Sequence, residues 1–379
     1  MIEVEKTSRP IEGQSSLFQP QEVPMRLTRL LLAFCLCTSA TPLLAADPVG
    51  VRKISVVSQD NPRPLAVTVW YPTAAAGAQS ATAQDRIFEI PSASKDAEIR
   101  EGRFPLVLLS HGSGSRVEGM GWIAAELAEA GFIVAGPNHP GTTSGDSTPA
   151  ATPKIWERTG DISAVITALS TDPQWKASID PARIGVLGFS LGGTTVLELA
   201  GARADLSGYI RYCAEHPDMM DCRWFAGGRG YAGGEQVAVE PLDLRIIDKT
   251  RFEQSNRDDR IASVVAVDPG LATVFTPESL KTIDIPLTVI NLGSIGKIPV
   301  AVLADKLAKE VPNASYAQVD NSDHFSFLPV CKKGAAEFLK SVGELDPICD
   351  DAGRPRIDIH EELAGLITHA FERTLKASH

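Results

Sequence analysis

The 379-residue sequence predicts an α/β protein with a mostly parallel central sheet and helices on both faces. Two observations carry this. From residue 106 onward, short β-branched apolar runs alternate strictly with longer segments of helical periodicity. Each strand-helix-strand step requires a right-handed crossover, which places the strands parallel and covers the sheet on both sides. Composition agrees: 44% hydrophobic and 22% charged residues are ordinary globular usage and leave ample material for a core.

Taken in order, Val51 to Ser58 and Leu65 to Tyr71 read as antiparallel opening strands, and the Ala/Ser/Thr-rich stretch from Pro72 to Arg103 as a surface insertion. Leu106 to Ser110 is a buried strand. Glu118 to Ala130 follows as a helix stopped by Gly131, then a strand from Phe132 to Gly136 and a helix from Ile155 to Leu169. Ile184 to Phe189 is the next strand and Leu191 to Ala202 the next helix. Strands resume at Ile261 to Val267, Leu287 to Leu292 and Tyr316 to Val319, with a helix expected from Pro299 to Glu310. The tail, Ile357 to Leu375, sets Ile359, Leu363, Leu366, Ile367, Ala370 and Phe371 on one helical face, a stripe suited to packing on the core. Segment 203 to 260 interrupts the rhythm; its position after the Leu191 helix and its aromatics Trp224 and Phe225 suit either a lid or a plain structural excursion.

At the N-terminus, Arg26 and Arg29 precede an apolar run from Leu30 to Ala46 that is broken by polar residues and ends in Leu44-Ala45-Ala46-Asp47. This reads as a secretory signal peptide over 25 to 46, with translation starting at Met25 and residues 1 to 24 an extension; a membrane anchor is the alternative. The mature chain would then be one domain, 47 to 379, periplasmic or secreted, with no transmembrane anchor. Removing Cys35 and Cys37 leaves Cys213, Cys222, Cys331 and Cys349. Three pairings are possible, the nearest-neighbour one joining Cys213 to Cys222 and Cys331 to Cys349; four reduced thiols are the alternative. No C-x-x-C pair supports a zinc site, and the metal expectation is none. Net charge is 36 − 47 = −11 with no basic cluster, which argues against a nucleic-acid partner.

The strongest chemical signal is Gly188-Phe189-Ser190-Leu191-Gly192-Gly193, placed directly between a predicted strand and a predicted helix. A serine on such a strained turn is exposed as a nucleophile, and small flanking residues let strand and helix approach. A serine hydroxyl needs a base to take its proton and an acid to orient that base. Of the last four histidines, which alone qualify if the order along the chain is serine, acid, histidine, His360 and His369 fall in the terminal helix and His379 ends the chain, whereas His324 lies in a polar loop just past the last strand. Asp268 closes the Ile261 to Val267 strand and is the acid expected; Asp-Pro-Gly is also turn chemistry, and both readings can hold together. Asp320 and Asp323 are weaker candidates. The amides of Leu191 and Ser113, with Gly112 as the alternative to Ser113, are expected to form an oxyanion hole. His111 and His139 read as loop-bracing residues, although His139 could line the pocket.

The runs Phe104-Pro105-Leu106 through Ser110-His111-Gly112-Ser113, Gly131 to Ala135, Gly188 to Gly193, Val264 to Asp268 and Asp323-His324-Phe325 together resemble the platelet-activating-factor acetylhydrolase and dienelactone-hydrolase-like branch of the α/β-hydrolases, over about residues 50 to 340. The resemblance implies an α/β-hydrolase fold and hydrolysis of carboxylic esters, small-molecule or lipid, without metal or organic cofactor. Dienelactone hydrolases proper carry cysteine where this chain has Ser190, and the insertion holding Cys213 and Cys222 lies outside the acetylhydrolase pattern. Dienelactone and phospholipid specificity therefore do not transfer. A lipid-ester hydrolase and a non-catalytic binding protein on the same fold are the two alternatives to a serine esterase.

Overall fold

The fold is organised by one ten-stranded sheet, in the order β14-β13-β12-β9-β5-β6-β2-β1-β4-β3. The strands are β1 Val49–Val56, β2 Leu65–Pro72, β3 Gln79–Ala81, β4 Ser92–Lys95, β5 Phe104–Ser110, β6 Ile133–Pro137, β9 Ile179–Phe189, β12 Ser263–Val267, β13 Leu287–Leu292 and β14 Ala314–Val319. The remaining four, β7 Thr142–Thr143, β8 Asp146–Ser147, β10 Gly230–Ala232 and β11 Glu235–Val237, make a small separate sheet. The computed structural model describes residues 48–57, 64–74, 77, 79–81, 84–344, 346–350 and 353–376. The signal peptide and extension expected within 1 to 46, Cys35, Cys37 and His379 lie outside them. Among the described residues no helix is long and apolar enough to cross a membrane.

Six neighbouring strands, β6, β5, β9, β12, β13 and β14, run parallel, as the strand-helix rhythm requires. Their alternate side chains feed two cores. Leu106, Leu108, Val264 and Ala266 face one side, packing with the helices Ile155–Thr171 and Leu191–Leu199. Val107, Leu109, Val265 and Val267 face the other, against Gly121–Glu129 and Arg356–Phe371. This is the period-2 pleat of strands buried on both faces, and it explains why they are apolar throughout.

The terminal helix docks by the expected stripe: Ile359, Leu363, Ile367, Ala370 and Phe371 are buried, and Leu366 packs at the margin. Its approach depends on Gly185 in β9, because a Cβ there would lie 2.7 Å from Phe371 Cε1. The helix also reaches the turn after β14. His360 stacks on Trp122 with ring centroids 3.9 Å apart, and its Nε2 lies 3.1 Å and 3.0 Å from the carbonyls of Ser326 and Leu328.

Several expectations are corrected. The stretch from Pro72 to Arg103 is more than a surface insertion: β4 pairs with β1 and β3 with β4, extending the sheet edge, and Ala93 and Ser94 are buried. The helix expected from Pro299 covers only Asp305–Glu310, because Pro299 to Leu303 form turns and the Ala304 amide is taken by a side chain. Strand β9 begins five residues earlier than its apolar core suggests, at Ile179.

Segment 203 to 260 folds as helices Leu206–Glu215 and Met220–Phe225, the β10–β11 hairpin and helix Lys249–Phe252. Tyr209, Phe225, Leu244 and Phe252 are buried in the core, and the Trp224 indole donates to Thr152 Oγ1 at 2.9 Å. The two aromatics expected on a lid are thus anchored inward. Both nearest-neighbour disulfides form, Cys213–Cys222 and Cys331–Cys349.

Because Phe371 is fully buried against Gly185, Phe371→Ala should cost about 3–5 kcal/mol. Urea denaturation of the two proteins measures it; a loss under 1 kcal/mol would mean the terminal helix contributes little to the core.

Candidate active site

The site begins with the turn between β9 and the helix Leu191–Leu199. Ser190 sits there at φ 56°, ψ −121°, a region that side-chain-bearing residues rarely occupy. The conformation persists because its surroundings hold it: the Ser190 amide donates to Val267 O at 3.0 Å and its carbonyl accepts from the Gly270 amide at 2.9 Å. The glycines are needed for approach. A Cβ at Gly188 would stand 2.0 Å from Gly192 O, one at Gly192 would stand 1.8 Å from Ser110 O, and one at Gly193 would stand 2.6 Å from Pro269 Cα.

Around this turn the chain brings three distant side chains together. His324 Nε2 lies 3.1 Å from Ser190 Oγ, and His324 Nδ1 lies 2.9 Å from Asp268 Oδ2. A carboxylate accepts, so Nδ1 carries the proton and Nε2 is left to accept the serine hydroxyl. Asp268 is completely buried at the end of β12, and its other oxygen accepts from the Leu292 amide and from Asn291 Nδ2, both at 2.8 Å. Asn291 is fully engaged in turn. It donates to Val302 O at 2.7 Å and accepts from the Ala304 amide at 2.9 Å and the Tyr316 hydroxyl at 3.2 Å.

His324 opens a single helical turn, His324–Phe327, capped by Asp323, whose Oδ1 accepts from the Ser326 amide at 3.0 Å. Its ring rests on Phe189 at 4.8 Å between centroids, and Phe189 stacks on Phe327 at 4.3 Å. Asp323 therefore holds the turn, and Asp320 accepts from Gln318; neither accepts from the imidazole. His360 braces the same turn from the terminal helix. Asn291 was missed by sequence reading, yet a signal existed: it is an asparagine within the apolar run that ends β13.

The Leu191 amide, at the first position of its helix, has no intrahelical acceptor. The loop carrying Ser113 passes close by, since a Cβ on Gly112 would lie 3.3 Å from Ser190 Cβ. Beyond the loop, Arg116, Ser144, Gly145, Asp146, Tyr231 and Gly234 line an open cleft of about 580 Å³. On the other flank, Arg223 and Arg229 of the insertion reach Asp346 at 3.5 Å and Glu344 at 4.0 Å. Among the described residues, no group of three or more His, Cys, Asp or Glu side chains could hold a metal ion.

A model of the alpha/beta hydrolase family matches residues 106–331, a span that includes Ser190, Asp268 and His324. The chain belongs to the α/β-hydrolase family. No curated protein matches it. Among solved structures, a ferulic acid esterase from Streptomyces cinnamoneus at 2.4 Å resolution is similar, with a TM-score of 0.56 and 16% identity over 88% of this chain and 92% of that one. At that identity the likeness is one of fold. In this α/β-hydrolase the family match covers β5 through β14 from Leu106 onward, and the strands β1 to β4 lie before it.

Beneath the site the hydrolase carries titratable groups that burial keeps neutral. It pushes His111 down to about 3, His360 down to about 4 and Glu198 up to about 8. An unfolded histidine takes up its proton near pH 6.5. Between that pH and the folded values the unfolded chain binds more protons, so stability falls as pH drops from about 6.5 towards 4. Glu198 acts oppositely: the folded chain keeps its proton up to about pH 8, and the stability it contributes is lost as pH rises towards that value. Melting temperatures from pH 4 to 8 should fall on the acid side, and Glu198→Gln should flatten the alkaline side. A flat acid limb would contradict neutral burial of these histidines.

Proposed function

We propose that this protein is an exported serine hydrolase that cleaves carboxylic esters through an acyl-enzyme. The observation that carries this reading is the hydroxyl-imidazole-carboxylate series of 3.1 Å and 2.9 Å that starts at a half-buried serine on a strained turn. Ser190 attacks the ester carbonyl while His324 Nε2 takes its proton; the imidazolium formed is stabilised by Asp268 and returns the proton to the departing alcohol. Water, activated by the same imidazole, then releases the acid. The amides of Leu191 and Ser113 receive the charge that develops on the carbonyl oxygen.

Within the family we place the chain in the platelet-activating-factor acetylhydrolase and dienelactone-hydrolase-like branch, on the motifs quoted above and on an acid that follows β12 rather than β13. The solved structure of similar fold is a ferulic acid esterase, in keeping with ester cleavage here. Export is supported by the basic and apolar pattern of residues 25 to 46 together with the two disulfides. The inward anchoring of Trp224 and Phe225 favours soluble esters over a lipid surface as substrate.

Purified mature protein should react with a fluorophosphonate probe at Ser190 and hydrolyse p-nitrophenyl esters. Ser190→Ala should abolish both, and Asp268→Asn should lower kcat by about 10⁴-fold through loss of the correct tautomer. Folded protein that neither labels nor turns over any nitrophenyl ester of graded acyl length would leave a binding module as the reading.

A further inference from the structure

A second serine-histidine-aspartate series lies directly beneath the first and is wholly buried. Ser110 Oγ is 3.0 Å from His139 Nε2, and His139 Nδ1 is 3.0 Å from Asp161 Oδ2. Ser110, His111 and His139 have no exposed surface and Asp161 almost none. No substrate reaches this serine, and its oxygen is already an acceptor for Arg158 Nη2 at 3.2 Å. The series is a brace rather than a second centre, and what it braces is the loop that starts at Ser110.

The proton positions follow from the partners. The Asp161 carboxylate accepts, so His139 Nδ1 carries hydrogen and Nε2 accepts the Ser110 hydroxyl. The His139 backbone amide donates to His111 Nε2 at 3.1 Å, which leaves His111 with its hydrogen on Nδ1. That hydrogen is donated to Gly112 O at 2.7 Å. The Ser115 amide donates to the same carbonyl at 3.2 Å. Arg158 grips the loop from below: Nη2 also donates to His111 O, Nη1 to Thr142 Oγ1 at 2.6 Å and Nε to Thr195 Oγ1 at 3.0 Å.

A peptide unit is planar and trans, so its carbonyl and its N–H point in opposite directions. Two donors that fix Gly112 O therefore also fix the direction of the Ser113 N–H, in a loop that passes close to Ser190. We propose that His111 is a positioning residue: through Gly112 O it fixes the Gly112–Ser113 peptide so that the Ser113 amide faces the reacting carbonyl oxygen, and Arg158, His139 and Asp161 hold it in the tautomer this requires. Burial and the neighbouring guanidinium both keep His111 and His139 unprotonated, which the donor and acceptor pattern also demands.

The kinetic half of this proposal rests on the ester-hydrolase reading; the structural half does not. The test compares wild type with His111→Phe, which keeps a ring of similar volume but donates nothing, with His111→Ala, and with His111→Asn, whose amide can reach Gly112 O. For p-nitrophenyl acetate, His111→Phe should lower kcat by about 10²-fold, as loss of an oxyanion donor does, with KM changed less than threefold. Affinity for phenylboronic acid, which forms a tetrahedral adduct on the serine, should drop in parallel, and His111→Asn should recover part of both. Crystal structures of the Phe and Ala variants should show the Gly112–Ser113 peptide rotated or split between two orientations. A folded variant with wild-type kcat, or one that keeps the peptide in its original plane, overturns the proposal. If wild type itself hydrolyses no ester, the functional reading fails, and the peptide orientation in the variant structures still decides the positioning role.

Discussion

Everything around Ser190 depends on how closely the helix after β9 approaches the two strands beside it. Backbone meets backbone there with no room for a side chain, as the missing Cβ atoms at Gly188, Gly192 and Gly193 require. This contact holds Ser190 in a conformation that costs on the order of 1–3 kcal/mol by itself. The cost is met by hydrogen bonds from β12 and from the turn after Asp268, which tie the serine to the strand that ends at Asp268. One constraint thus sets the serine, the first amide of the helix and the distance to Asp268 together.

The second notable property is how much polar machinery is packed into an apolar sheet end. Asp268 and Asn291 form one buried cluster whose hydrogen bonds are satisfied, and Ser110, His111, His139, Arg158 and Asp161 form a second, connected one. Half-satisfied groups in such positions would cost more than they stabilise, whereas connected networks fix a single arrangement. The two clusters lie on either side of Ser190, one orienting the imidazole and one the loop with the Ser113 amide. The terminal helix completes the frame by setting His360 under the turn that bears His324. Reactive groups are rigid here because what surrounds them has few alternatives.

Local periodicity made most of the fold legible. The parallel strands were readable because burial on both faces leaves each a continuous apolar run, and the elbow was readable because its glycines are a steric necessity. The acid was readable because Asp268 directly follows such a run. Where reading went astray, the determinants were not local. Strand β4 is polar at its ends and joins the sheet through pairing with β1, more than forty residues earlier in sequence. The helix expected from Pro299 is shortened because the Ala304 amide serves a side chain from β13. Trp224 and Phe225 look like lid residues in sequence, and only packing shows them turned to the core.

By itself, the sequence determined the α/β architecture, the strained serine turn and the identities of Asp268 and His324 as candidates, since each rests on short-range periodicity, sterics or order along the chain. Tertiary structure alone decided that these side chains lie within hydrogen-bonding reach, which cysteines pair, that Asn291 donates to Asp268, and that a buried Ser110-His139-Asp161 series underlies the loop that starts at Ser110. Those are relations between residues tens to hundreds of positions apart. They exist only once the sheet has set the ends of its strands side by side.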